Sequence, residues 1–147
     1  MTTNSAIGTQ PDIIAATHEL LASWRGQLGV LLELQRVLPA GQLPDEVPVN
    51  VARARREIAD VKARLRGWGE TVDDQPADAE TADPQEIEHT LRLRAIYRRN
   101  LAQLSAQRAQ FPEREVPLHV TNGIAEASAQ LERIESQLRA WGVPFEA

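Results

Sequence analysis

Apolar side chains recur along this chain in alternating steps of three and four, and the run of steps occurs twice. The first stripe is Ile14, Thr17, Leu21, Trp24, Leu28, Leu31, Gln35 and Leu38, and Pro39-Ala40-Gly41 ends it. That spacing predicts a helix over 11–38 with a narrow a/d seam, the kind that packs knobs into holes. Thr9-Gln10-Pro11-Asp12 supplies its start: a hydroxyl cap, an early proline and an acid in the first turn. After a turn containing Pro44, a second stripe follows as Val47, Val51, Ala54, Ile58, Val61, Leu65 and Trp68, with Gly69 placed as a C-cap.

The second half repeats this grammar. Asp83-Pro84-Gln85-Glu86 reads as a helix start, with a capping acid, proline at the first position and Glu86 three residues on. Its stripe is Ile87, Thr90, Arg94, Tyr97, Leu101, Leu104, Arg108 and Phe111, stopped by Pro112. The last helix carries Val120, Ile124, Ala127, Leu131, Ile134, Leu138 and Trp141 before Gly142. Laid over each other without a gap, 11–69 and 84–142 share 17 of 59 residues, where unrelated sequences share about 4. The repeat fixes the architecture. Short connections make each half an antiparallel helical hairpin. Two hairpins of about 60 residues, each marginal alone, predict an all-α fold: a tandem duplication packed as a pseudo-twofold four-helix bundle. The division is 1–10 as a disordered N-terminus, 11–69 as the first hairpin, 70–83 as an acidic linker with nothing to bury, 84–142 as the second hairpin, and 143–147 as a tail. The linker is long enough to leave parallel and antiparallel packing of the hairpins open, and to allow a swapped dimer.

Composition narrows the chemistry. No cysteine is present, so disulfides and thiolate chemistry are excluded. No apolar run is long enough to span a bilayer, and residues 1–10 lack the features of a signal peptide; the expected location is cytoplasmic. The net charge of −5 is concentrated in 70–84, which holds six acids and no base, while the helical remainder is near neutral. That balance disfavours nucleic acid as a partner.

Few residues carry candidate chemistry. Glu86 and His89 make a Glu-x-x-His step, the spacing of di-iron bundles, but the first half has Ile13 and Ala16 at the matching positions, so the other half-site is missing. No Gly-rich phosphate loop and no sequence-evident triad appear. The expectation is no enzyme, no metal and no cofactor. A basic run on the second helix, Arg53, Arg55 and Arg56 with Lys62, Arg64 and Arg66, has two readings. Arg53 and Arg56 could meet an acidic partner or nucleic acid; the favoured alternative is that the run is a solvated face meeting the acidic linker or Glu57 and Asp60. Arg94 and Arg108 fall on seam positions whose counterparts are Leu21 and Gln35, and a charge held in a seam is costly unless paired. Either they reach water along their stems, or the seam faces a partner that supplies acids, with Arg98 beside it and Tyr97 and Phe111 as anchors. The tryptophans are expected in the core or at its edge.

The second half also resembles the helical-hairpin, effector-associated modules of bacterial conflict and signalling proteins. The resemblance rests on Tyr97-Arg98-Arg99-Asn100-Leu101, Leu104, Gln107, Val116-Pro117-Leu118-His119-Val120, and the heptad Ile124, Leu131, Ile134 and Leu138. The first half matches through Leu31, Leu34, Gln35, Pro44 and Val47. Pro112 after Phe111, where the pattern has glycine, and Thr121-Asn122-Gly123 in place of an acid-rich helix start depart from it. The resemblance implies a non-catalytic adaptor coupling a sensor protein to an effector protein through helix contacts. The alternative is a self-associating scaffold, a homodimer; nucleic-acid binding through the Arg53–Arg66 face ranks third.

Overall fold

The structure, a computed structural model, describes residues 11–146. These form four α-helices and three short 3-10 turns, with no strand among the described residues. The helices are α1 (Pro11–Val37), α2 (Glu46–Gly67), α3 (Pro84–Ala109) and α4 (Leu118–Ala140). The chain is all-α, as the seam spacing predicts. The expected disordered segment 1–10 and the Thr9 cap lie outside the described residues. No helix among the described residues is long and apolar enough to cross a membrane.

The chain divides into two compact units, one ending at Pro84 and one starting at Gln85. In the first, α1 and α2 form a hairpin joined through a 3-10 turn at Ala40–Gln42. Its core contains Leu21, Leu28, Leu43, Val47, Val51, Ala54, Ile58, Val61 and Leu65, with Trp24, Leu31, Leu38 and Trp68 packed at the edge. Most of these are the seam positions of the two stripes, since a period of three and four keeps one helix face toward its neighbour.

In the second unit α3 and α4 pair. Arg94 bonds Glu135, while the Leu104 side chain lies 3.1 Å from where a Cβ on Gly123 would stand. The contact partner moves toward the start of α4 as α3 advances, which is the antiparallel arrangement. The buried side chains here include Ile87, Leu91, Arg94, Val120, Ala127, Leu131, Ile134 and Leu138.

Both hairpins end alike. Gly69 and Gly142 have φ of 85° and 71°, the left-handed conformation that a side chain disfavours. Each sits between two bonds that close the helix end. Gly69 and Glu70 donate to the carbonyls of Arg66 and Leu65; Gly142 and Val143 donate to those of Arg139 and Leu138. This is the Schellman closure, and it turns the following chain back along the hairpin.

The segment after Gly69 corrects the expectation of a linker with nothing to bury. Val72 and Ala77 pack against the first core cluster, Asp78 is buried, and residues 76–78 form a 3-10 turn. Residues 70–83 are an ordered strap on the first hairpin.

Candidate functional site

Two arginine-bearing faces emerge, one on each hairpin. On the first, the strap brings its acids to cations of α1 and α2. Arg25 donates from Nη2 and Nε to the two oxygens of Asp78, at 2.7 and 3.3 Å. Lys62 Nζ lies 3.3 Å from the same carboxylate, and the Gln75 backbone N–H donates to it at 3.2 Å. Asp78 is 5% exposed, and this cage satisfies it. Burial pushes its acidity toward a higher pKa; the bonds from Arg25, the Gln75 amide and Lys62 outweigh that and hold it below the usual carboxylate value.

Further acids extend the contact. Asp73 accepts from Arg25 at 3.1 Å, and Asp74 pairs with Lys62 and, at 2.9 Å, with Arg66. The bonds from Lys62 and Arg66 bring the Asp74 pKa down to about 2. Arg55 Nε donates to the Ala77 carbonyl at 2.9 Å, and Arg56 meets Asp83 at 3.3 Å. His18 Nε2 faces Glu70 at 3.1 Å. Of the basic run of α2, Arg55, Arg56, Lys62 and Arg66 thus contact residues of the acidic segment, with Lys62 buried beneath it and not on a solvated face. Arg56 is engaged in this way. Arg53 stands apart: it is exposed, bonds Asn50 at 2.7 Å, and rims an open groove with Trp24 and Val30.

On the second hairpin the seam arginines separate. Arg94 is 8% exposed. Both expectations for it give way to a third arrangement: it neither reaches water nor waits for an outside acid. Its Nε donates to Glu135 at 2.9 Å, its Nη2 bonds the Glu146 carbonyl, and its guanidinium stacks over the Phe145 ring, 4.6 Å from the centroid. Glu135 is the repeat counterpart of Lys62, so the duplicated position keeps a charge of opposite sign. Arg94 is thereby withdrawn from the surface that a partner meets. The tail residues Val143–Glu146, expected only as a short end, close this pair.

Beyond Arg94 the same face of α3 continues as Arg98, Leu101, Ser105 and Arg108, in steps of four and three. Arg98 and Arg108 are exposed, Tyr97 and Leu101 are half-buried, and Phe111 is 41% exposed. Leu118, at the start of α4, is 73% exposed. In the first hairpin Leu38, the counterpart of Phe111, is half-buried, and Asp45 stands where Leu118 does. Arg98 is the repeat counterpart of Arg25, the residue that grips the strap. No described acid holds it.

Sequence reasoning missed the ordering of the strap. The signal was there in the coincidence of six acids in 70–84 with the Arg- and Lys-bearing face of α2, but charge composition does not distinguish a solvated run from a docked one. Among the described residues no three His, Cys, Asp or Glu side chains gather to hold a metal ion. No family model, curated protein or solved structure matches this chain.

Proposed function

We propose that this chain is a non-catalytic protein-interaction module, with the exposed end of the second hairpin as its docking face and the cytoplasm as its compartment. One observation carries the reading: Phe111 and Leu118, at the α3–α4 turn, are exposed apolar side chains, with the exposed cation Arg108 one turn before Phe111 and the exposed Arg98 further back on α3. An apolar centre with a charged rim is the anatomy of a protein interface, and an aromatic residue with neighbouring arginines supplies the side chains most often found as binding anchors. The partner that fits is an amphipathic helix with acids flanking its apolar stripe. The resemblance to effector-associated hairpins supports the finer reading, an adaptor that joins a sensor to an effector.

Site-specific photo-crosslinking in the native host tests this. A photoreactive residue at Phe111 is expected to give one discrete heteromeric adduct, lost in the R98E/R108E variant while the helical circular dichroism is kept. An adduct of twice the chain mass transfers the reading to the self-associating scaffold. Absence of any adduct, or retention of the adduct in R98E/R108E, rejects the proposed face.

A further inference from the structure

The strap on the first hairpin is bound in the manner of a peptide ligand. Its apolar contribution to the core is small, chiefly Val72 and Ala77. Charge does most of the holding. Asp78 is its anchor, enclosed by Arg25 and Lys62; Asp73 and Asp74 lie largely in solvent and reach Arg25, Lys62 and Arg66 from the rim. Exposed ion pairs of the rim type contribute little each, so the strap stays in place mainly because it is tethered, at an effective concentration on the order of millimolar.

The second hairpin shows that the fold itself does not call for this contact. It is built from the same repeat, and Arg98, the counterpart of Arg25, is exposed with no strap upon it. Of the groove cations, Arg25 and Arg66 have arginine counterparts in the second hairpin, Arg98 and Arg139, whereas Lys62 and the flanking Arg55 and Arg56 are particular to the first. Lys62, Arg55 and Arg56 correspond to Glu135, Ser128 and Ala129 in the second. The lysine that completes the cage and the acidic occupant are thus found together, on one copy of a scaffold that forms without either.

We propose that the groove formed by Arg25, Lys62 and Arg66 is a docking site for an acidic peptide segment of a partner protein, and that residues 70–83 occupy it in cis as a displaceable stand-in. The recognition element is one carboxylate in the Arg25–Lys62 cage with a second acid four residues earlier, as Asp78 and Asp74 are spaced. A carboxylate fits better than a nucleic-acid phosphate because the cage encloses a single Asp side chain almost completely, leaving no room for a continuous sugar-phosphate chain. The groove shares no residue with the face of Phe111, Arg98 and Arg108, so either reading stands or falls without the other.

The test uses the full chain and a fluorescein-labelled synthetic peptide with the sequence of residues 70–83. In the D73N/D74N/D78N variant, whose strap has lost its acids, peptide affinity measured by fluorescence anisotropy is expected to rise at least about tenfold over the native chain. It should fall steeply with salt and vanish when R25E and K62E are added. A variant that keeps its helical circular dichroism yet binds no better than the native chain overturns the proposal. So does tighter binding of a single-stranded oligonucleotide than of the peptide. A second measurement needs no substitution: hydrogen exchange of the native chain with excess unlabelled peptide. Faster exchange across 70–83 supports displacement, and unchanged exchange at saturating peptide overturns it.

Discussion

Residue-scale chemistry in this molecule is the management of charge at duplicated positions. Lys62 and Glu135 occupy the same place in the repeat, and the segment after the terminal glycine of each hairpin takes part in pairing them, directly for Lys62 and through Arg94 for Glu135. Lys62 meets strap acids, whereas Glu135 meets Arg94, itself held by the tail. A buried pair of this kind is expensive to break from one side and cheap to replace from both. Arg94→Leu, which installs the residue found at Leu21, is therefore expected to destabilise the second hairpin by about 1–3 kcal/mol. R94L/E135L should recover most of that loss. Urea unfolding of the native chain and these two variants decides it; a double variant weaker than Arg94→Leu would rule out this account. The strap gives a pH prediction of definite sign. Asp73, Asp74 and Asp78 all bind protons less readily when docked, with Asp74 down to about 2. Free aspartates titrate near 3.9. Docking is thus fully favoured above about pH 4 and is lost as pH falls toward 2. Amide resonances of 72–78 should move toward random-coil positions over that interval while helix amides hold. Strap release near pH 6 would contradict the assignment.

At the scale of elements, each helix pair depends on how it stops. The left-handed glycines at 69 and 142 let the chain reverse and bring the strap and the tail back over the hairpins. An alanine in that conformation costs roughly 1–2 kcal/mol, so Gly142→Ala should lower the thermal midpoint and loosen the Phe145–Arg94 contact. Gly67→Ala is the matched control. Its Cβ meets nothing within 4 Å, and Ala140 already stands at the same repeat position. That variant should be neutral or slightly stabilising, by up to about 1 kcal/mol. Equal losses at both sites, read by thermal circular dichroism, would refute the role given to Gly142. The helices themselves differ between copies. In α1 the expected stripe is the buried one at Thr17, Leu21 and Leu28, while in α3 burial includes Leu91, off that stripe, and fades beyond Arg94.

For the whole molecule, the consequence is a boundary placed differently from the one the composition suggests. Residues 70–83 belong to the first compact unit, which ends at Pro84. A fragment 11–84 is expected to unfold cooperatively at a higher temperature than 11–69. A strap contribution of about 1 kcal/mol would raise the midpoint by about 4–8 °C in a domain of this size. Because the contact is largely ionic, high salt should narrow the gap. Equal midpoints at low salt would leave the strap without the binding energy assigned to it.

The four helices, their stops at Pro39, Gly69, Pro112 and Gly142, and the seam of the first hairpin were legible in the sequence. Helical period and chain-breaking residues are local properties, fixed by neighbours three or four positions away. The destination of each charge was not legible. Arg25 and Asp78 are 53 residues apart, and Arg94 and Glu135 are 41 apart; an ion pair has no sequence period, so only folding brings its members together. For the same reason the sequence placed Arg94 and Arg98 together at one candidate face, and the tertiary structure alone decided that one is enclosed and the other open to a partner.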